Sequence, residues 1–88
     1  MEVVFLRSFI QDFRLITQPA VRRKIERAVK RMQEVTSLRE LKELKKLEGF
    51  PNAYRVRVGD HRIGFFLVGG TIELARVANR KDIYRSFP

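Results

Sequence analysis

Residues 54–67 read YRVRVGDHRIGFFL, and three of them are arginines flanking a Gly-Asp pair. A two-residue turn at Gly59-Asp60 predicts two antiparallel strands in which Val58 faces His61, Arg57 faces Arg62, Val56 faces Ile63 and Tyr54 faces Phe65. Side chains alternate between the two faces of a strand. One face therefore collects Tyr54, Val56, Val58, Ile63, Phe65 and Leu67, and the other Arg55, Arg57, Arg62 and Gly64. Like charges directly opposite one another destabilise a strand pair. Arg57 against Arg62 thus implies screening by water or a bound anion. Guanidinium forks match phosphate in bidentate fashion, and Gly64 beside them leaves room for a ligand to approach the backbone. A merely exposed basic face would have acidic neighbours, yet Asp60 falls in the turn and Glu73 is expected beside Phe66, at the far end of that face.

A second cationic cluster closes the sequence. ANRKDIYRSFP holds Arg80, Lys81, Tyr84 and Arg85, and its apolar Ile83, Tyr84 and Phe87 argue against a solvated tail. Other chemistries find few residues. There is no cysteine and a single histidine, His61, alone in a turn, so no metal-ligand cluster and no cofactor is expected. Neither a Walker-type nor a dinucleotide glycine loop occurs. What remains is Arg, Lys and Tyr chemistry on a basic face, and that set suffices in principle to cleave RNA. The ribose 2′-OH supplies the nucleophile. The protein has only to orient the phosphate, stabilise the added negative charge and assist proton transfer.

These residues need a scaffold, and 88 residues predict one domain, 1–88. A chain of this size buries only roughly 60–65% of its unfolded surface, so its core must be economical. Nineteen Lys and Arg against ten Asp and Glu give a net charge of +9, which implies a polyanionic partner. No apolar run is long enough to span a membrane and no signal pattern opens the chain, so a soluble cytoplasmic protein is expected.

Residues 2–6 are β-prone. Ser8 and Gln11 match a capping box before a helix whose buried stripe is Phe9, Ile10, Phe13 and Ile16. Pro19 opens a second helix, reaching about Val35. Val21, Ile25, Ala28, Val29 and Met32 line its inner face, and Arg22, Arg23, Lys24, Arg27, Lys30 and Arg31 its solvated faces. Ser37 and Glu40 form another capping box, and Leu38, Leu41, Leu44 and Leu47 predict a short amphipathic helix ending by Gly49. A third strand over TIELARVA follows the hairpin. The order is β-α-α-β-β-β, an α+β fold with a small antiparallel sheet and helices packed on one face. Arg76 does not fit: a tight Gly69-Gly70 turn points it at the core face with Ile72 and Leu74. Either the loop is longer or Arg76 caps a helix end.

YRVRVGDHRIGFFL followed by RVANRKDIYRSFP resembles the RelE/ParE superfamily of toxins from type II toxin–antitoxin pairs. FLRSFIQDF before a helical hairpin is similar too, so the likeness covers essentially the whole chain. It implies a RelE-like twisted antiparallel sheet with the helical hairpin on one side. For the RelE branch it implies a metal-independent endoribonuclease that cuts mRNA on the ribosome and is held in check by an acidic antitoxin. By this resemblance Arg62 and Arg80 would hold the scissile phosphate, and Arg57 would aid proton transfer or charge stabilisation. Tyr84 would stack on a base or orient the 2′-OH, while Lys45, Lys46, Arg55 and Lys81 would grip the RNA backbone. The ParE branch poisons DNA gyrase and offers an alternative, as does a non-catalytic relative that binds nucleic acid or antitoxin. Many relatives have His where this chain has Asn79, and Asn cannot titrate. If that histidine moves protons, activity here is weakened; if it orients neighbours, Asn79 is benign.

Overall fold

Val3–Phe5 form strand β1, as their β-prone side chains suggest. The structure, a computed structural model, describes all residues from Met1 to Pro88. Helix α1 (Arg7–Leu15) and helix α2 (Pro19–Glu34) make the expected hairpin, with Pro19 at the start of α2, where its missing N–H costs nothing. Arg22 closes the joint between them. Its Nη1 donates to the carbonyls of Phe13 (3.0 Å) and Ile16 (2.8 Å), and its guanidinium lies 4.1 Å from the Phe13 ring centroid. Arg22 therefore serves the last carbonyls of α1 rather than a solvated face. Ser8 departs from expectation as well. The N-cap of α1 is Leu6, without a side-chain bond, and the Ser8 hydroxyl donates instead to the carbonyl of Ala75.

The helix expected over Leu38–Leu47 does not form. Ser37 and Glu40 do make their capping box, but it closes only a single 3-10 turn, Leu38–Glu40. The Thr36 hydroxyl, and then the backbone N–H groups of Thr36 and Ser37, hold the Glu40 carboxyl below its ordinary value of 4.5. Glu43 then adopts a left-handed backbone (φ 61°), which stops any helix. Leu44–Lys46 become strand β2, whose backbone groups pair with the next strand. The leucine spacing is satisfied differently: Leu38, Leu41 and Leu44 pack on the main core and Leu47 on a second one.

Strands β3 (Ala53–Val58), β4 (His61–Val68) and β5 (Thr71–Asn79) follow, then a short helix α3 (Ile83–Ser86). The five-stranded sheet has the order β1-β5-β4-β3-β2, with β1 parallel to β5 and every other pair antiparallel. Val58 faces His61, Arg57 faces Arg62, Val56 faces Ile63 and Tyr54 faces Phe65, as the turn at Gly59-Asp60 requires. On one face, Val56, Ile63 and Phe65 pack against Phe9, Ile25, Val29 and Met32 of the hairpin. On the other, Ile83 and Phe87 close a second core over Leu47, Ala53 and Ala75.

Arg76 is explained by a β-bulge. Leu74 pairs with Phe65 and Arg76 with Gly64, so Ala75 is an extra residue in β5. The tight turn at Gly69-Gly70 is kept, with Val68 opposite Thr71. Without the bulge, alternation would bury the Arg76 charge and expose Val77. With it, Val77 enters the main core. Asp12 of α1 clamps this point: Arg76 Nε (2.7 Å) and Nη2 (2.9 Å) donate to its carboxylate, as does the Val77 N–H (3.1 Å). The clamp keeps Arg76 protonated beyond its ordinary range, chiefly through the hydrogen bonds it donates to Asp12. Replacing Asp12 by Ala leaves the Val77 N–H and the Arg76 fork without acceptors. A loss of about 2 kcal/mol is expected in urea denaturation, and Asp12→Asn, which still accepts, should lose less.

Candidate active site

The hairpin register places Arg55, Arg57 and Arg62 on the sheet face turned away from the helical hairpin. Lys45, opposite Arg55 in β2, joins them. These four cations, with Glu43, Leu44 and Tyr84, line one open cavity of about 300 Å³. Arg62 is held in place by the turn it follows, its Nη1 donating to the carbonyls of Gly59 and His61 at 3.0 Å each. Arg55 lies beneath Tyr84, its guanidinium 4.6 Å from the ring centroid, and its Nε is shielded from water with no hydrogen-bond partner. None of the four cations has an ion-pair partner; the molecule's one salt bridge is Arg76–Asp12. The cavity thus sets four cations against one carboxylate, with N–H donors free to receive an anion.

Tyr84 reaches this place on a helix, not on a continuing strand. β5 ends at Asn79, and α3 is fastened by its buried neighbours Ile83 and Phe87. Tyr84 itself is 72% exposed, an open aromatic face beside the arginines. The room expected above Gly64 is filled, because the Phe87 ring occupies it.

Other sequence-predicted residues stand outside the cavity. Lys46 pairs with Tyr54 and borders the Gly49–Pro51 loop. Arg80 and Lys81 are exposed in the turn between β5 and α3. The Arg80 N–H donates to the Asp60 carbonyl (2.8 Å), tying that turn to the hairpin tip. Asn79 pairs with His61 on the helix side of the sheet, near Gln18 and Lys24. Its Oδ1 accepts the Lys81 N–H (3.0 Å), so the amide shapes the turn and does not line the arginine cavity.

Glu43 was not foreseen. Its left-handed backbone is costly for a residue with a side chain and is found at functional sites. Its carbonyl accepts the Arg57 N–H (3.1 Å), and its side chain is the only carboxylate among the lining residues. Nothing in the run Leu41–Leu47 marks it, because the leucine spacing there suggests a helix surface.

No family model matches the chain. Toxin RelE3 of Methanocaldococcus jannaschii is 39% identical to it over 89 residues, with both chains covered in full. The chain belongs to the RelE toxin family. The toxin of the RelB–RelE complex from Methanococcus jannaschii superimposes with a TM-score of 0.81 at 37% identity, covering 97% of this chain and 99% of that one. The intact E. coli RelBE complex shares the fold alone, at 15% identity and a TM-score of 0.69 over 89% of this chain and 94% of that one.

In this RelE-family chain the arginine cavity should dominate polyanion binding. Affinity for a short single-stranded oligonucleotide, titrated against salt, should give a log–log slope that falls by about 1 for Arg57→Ala or Arg62→Ala. Arg23→Ala, on the exposed side of α2, should leave the slope unchanged.

Proposed function

We propose that this chain is the toxin of a toxin–antitoxin pair and that it cleaves mRNA on the ribosome, in the cytoplasm, at the arginine cavity. The observation that carries this reading is the convergence of Lys45, Arg55, Arg57 and Arg62 with one carboxylate and one exposed tyrosine around a single cavity. Arg57 and Arg62 face each other across the hairpin and would grip the scissile phosphate from both sides. The substrate's 2′-oxygen attacks the adjacent phosphorus and the bond to the 5′-oxygen breaks. A 2′,3′-cyclic phosphate and a 5′-hydroxyl result. Charge builds up on the phosphoryl oxygens in the transition state, where preorganised guanidinium donors act most strongly.

Two protons move in this reaction. Glu43 is the carboxylate at hand to accept the one from the 2′-hydroxyl. The Lys45 ammonium and the Tyr84 phenol are the donors at hand for the leaving oxygen. Tyr84, open to solvent, would also stack on a base. Arg80, in the turn that its N–H ties to the Asp60 carbonyl at the hairpin tip, would hold the phosphate backbone together with Lys81. Lys46 would contact backbone phosphates farther along. Asn79, engaged with the Lys81 N–H, shapes this turn without titrating. An acidic antitoxin segment would neutralise the same cations.

Induction without antitoxin, followed by mapping of mRNA 5′ ends, tests this directly. New cuts within translated codons are expected, weakened by about 100-fold in Arg62→Ala and reduced in Arg80→Ala. Growth arrest without cuts would discard the cleavage reading in favour of another target.

A further inference from the structure

Gly64 stands in mid-strand without a left-handed backbone, so its lack of a side chain is not needed for conformation. What it provides is space. A Cβ built there would lie 2.5 Å from both Cγ and Cδ2 of Phe87 and 2.9 Å from its Cδ1. The Phe87 ring is thus seated on the glycine by its Cγ end, 4% exposed, with Phe66 beside it at a centroid distance of 5.1 Å. Phe87 ends α3, its N–H donating to the Ile83 carbonyl (2.9 Å). Those two buried side chains fasten the helix to the sheet, and Tyr84 lies on the turn between them. The position directly across from Gly64 in β3 is Arg55, the residue beneath the Tyr84 ring. The seat and the tyrosine's cation are therefore neighbours on one sheet face.

We infer that Gly64 and Phe87 are positioning residues of the cavity: the ring seated on the bare glycine sets the height of α3 and so holds Tyr84 over Arg55. A methyl group at position 64 must lift the ring by about 1 Å to restore ordinary contact, which begins at 3.4 Å. Cγ is the root of the ring, so spinning the ring about its Cβ–Cγ bond does not clear the clash: either the ring leaves its seat on the sheet or α3 moves with it, and both loosen the hold on Tyr84. The consequence for catalysis rests on the proposed role of Tyr84 at the RNA; the placement of Tyr84 does not.

The chain has two tyrosines, which makes the test clean. Tyr54 stacks on Phe65 at 5.3 Å beside the main core and reports on the sheet, whereas Tyr84 reports on α3. With 13C-labelled tyrosine, Gly64→Ala should shift the Tyr84 ring signals and abolish the Tyr84–Arg55 nuclear Overhauser effect, with the Tyr54 signals unmoved. RNA cleavage should fall by about 100-fold, mainly in kcat. Gly64→Ala with Phe87→Leu should return the Tyr84 signals part of the way. Should Gly64→Ala unfold the sheet, as the Tyr54 signals would show, Phe87→Ala decides, because it removes the ring and adds nothing. Tyr84 signals and contact unchanged in a folded Gly64→Ala or Phe87→Ala protein would overturn the inference. A displaced Tyr84 with cleavage at the wild-type rate would uphold the placement and overturn its consequence for catalysis. A displaced Tyr84 in a protein whose wild type cuts no RNA would uphold the positioning and remove the proposed function instead.

Discussion

Asp12 forms the single ion pair of a chain with nineteen Lys and Arg, and the alignment of the sheet's far end depends on it. β1 is three residues long and leaves the second half of β5 without a strand neighbour on that side. The Asp12 carboxylate takes the place of a strand there, accepting the Val77 N–H and the Arg76 fork together. The bulge it holds separates an arginine that must stay near water from a valine that belongs in the core. A charge buried without its partner would cost several kcal/mol, so the unbulged register is not a competitor. Everything after the bulge inherits its phase: Ala78 comes beside Arg62, Asn79 beside His61, and the turn into α3 begins from there.

The two faces of the sheet are built to different scales. Toward the helical hairpin it presents Ile63, Phe65, Ile72 and Leu74, large side chains that fill the main core. Toward α3 it presents mainly small ones, Ala53, Gly64, Ala75 and Ala78, beside the single ring of Phe66. Small residues let a four-residue helix sit close enough to bury Ile83 completely and the capping Phe87 nearly so. They also let the stem of Arg55 lie along the sheet, with its guanidinium under Tyr84. The shallow side of the sheet is thus the side where cations can be arranged around an open space.

Most of this was legible where one local rule dominates. The hairpin over Ala53–Val68 declares itself through alternation and a Gly-Asp turn, and these alone put Arg55, Arg57 and Arg62 on one face. Pro19 and the stripe Ile25, Val29 and Met32 mark α2 as plainly. The stretch Leu38–Leu47 misled because leucines spaced by three suit either a helix or a turn followed by an edge strand. The choice rests on the left-handed Glu43 and on the free edge of β3, neither of which is a local signal. The helical pattern also hides Glu43, and Lys46, which the resemblance groups with Lys45, lies on the opposite face because adjacent strand residues alternate. Gly64 suggests an opening for a ligand in the sequence, because a vacancy in one strand does not announce which distant side chain fills it.

Charge explains why such a site is stable only as a surface feature. Arg57 and Arg62 repel across the hairpin, and no protein carboxylate is paired with either. Water screens that repulsion in the open cavity, at a cost in net stability that the two cores can absorb. A partner that brings negative charge relieves the repulsion and gains affinity from it. On the proposed reading both the RNA and the antitoxin are such partners, and both would draw on the same unpaired guanidinium groups. Neutralisation then needs no change in the fold: occupancy of the arginine face by one polyanion excludes the other.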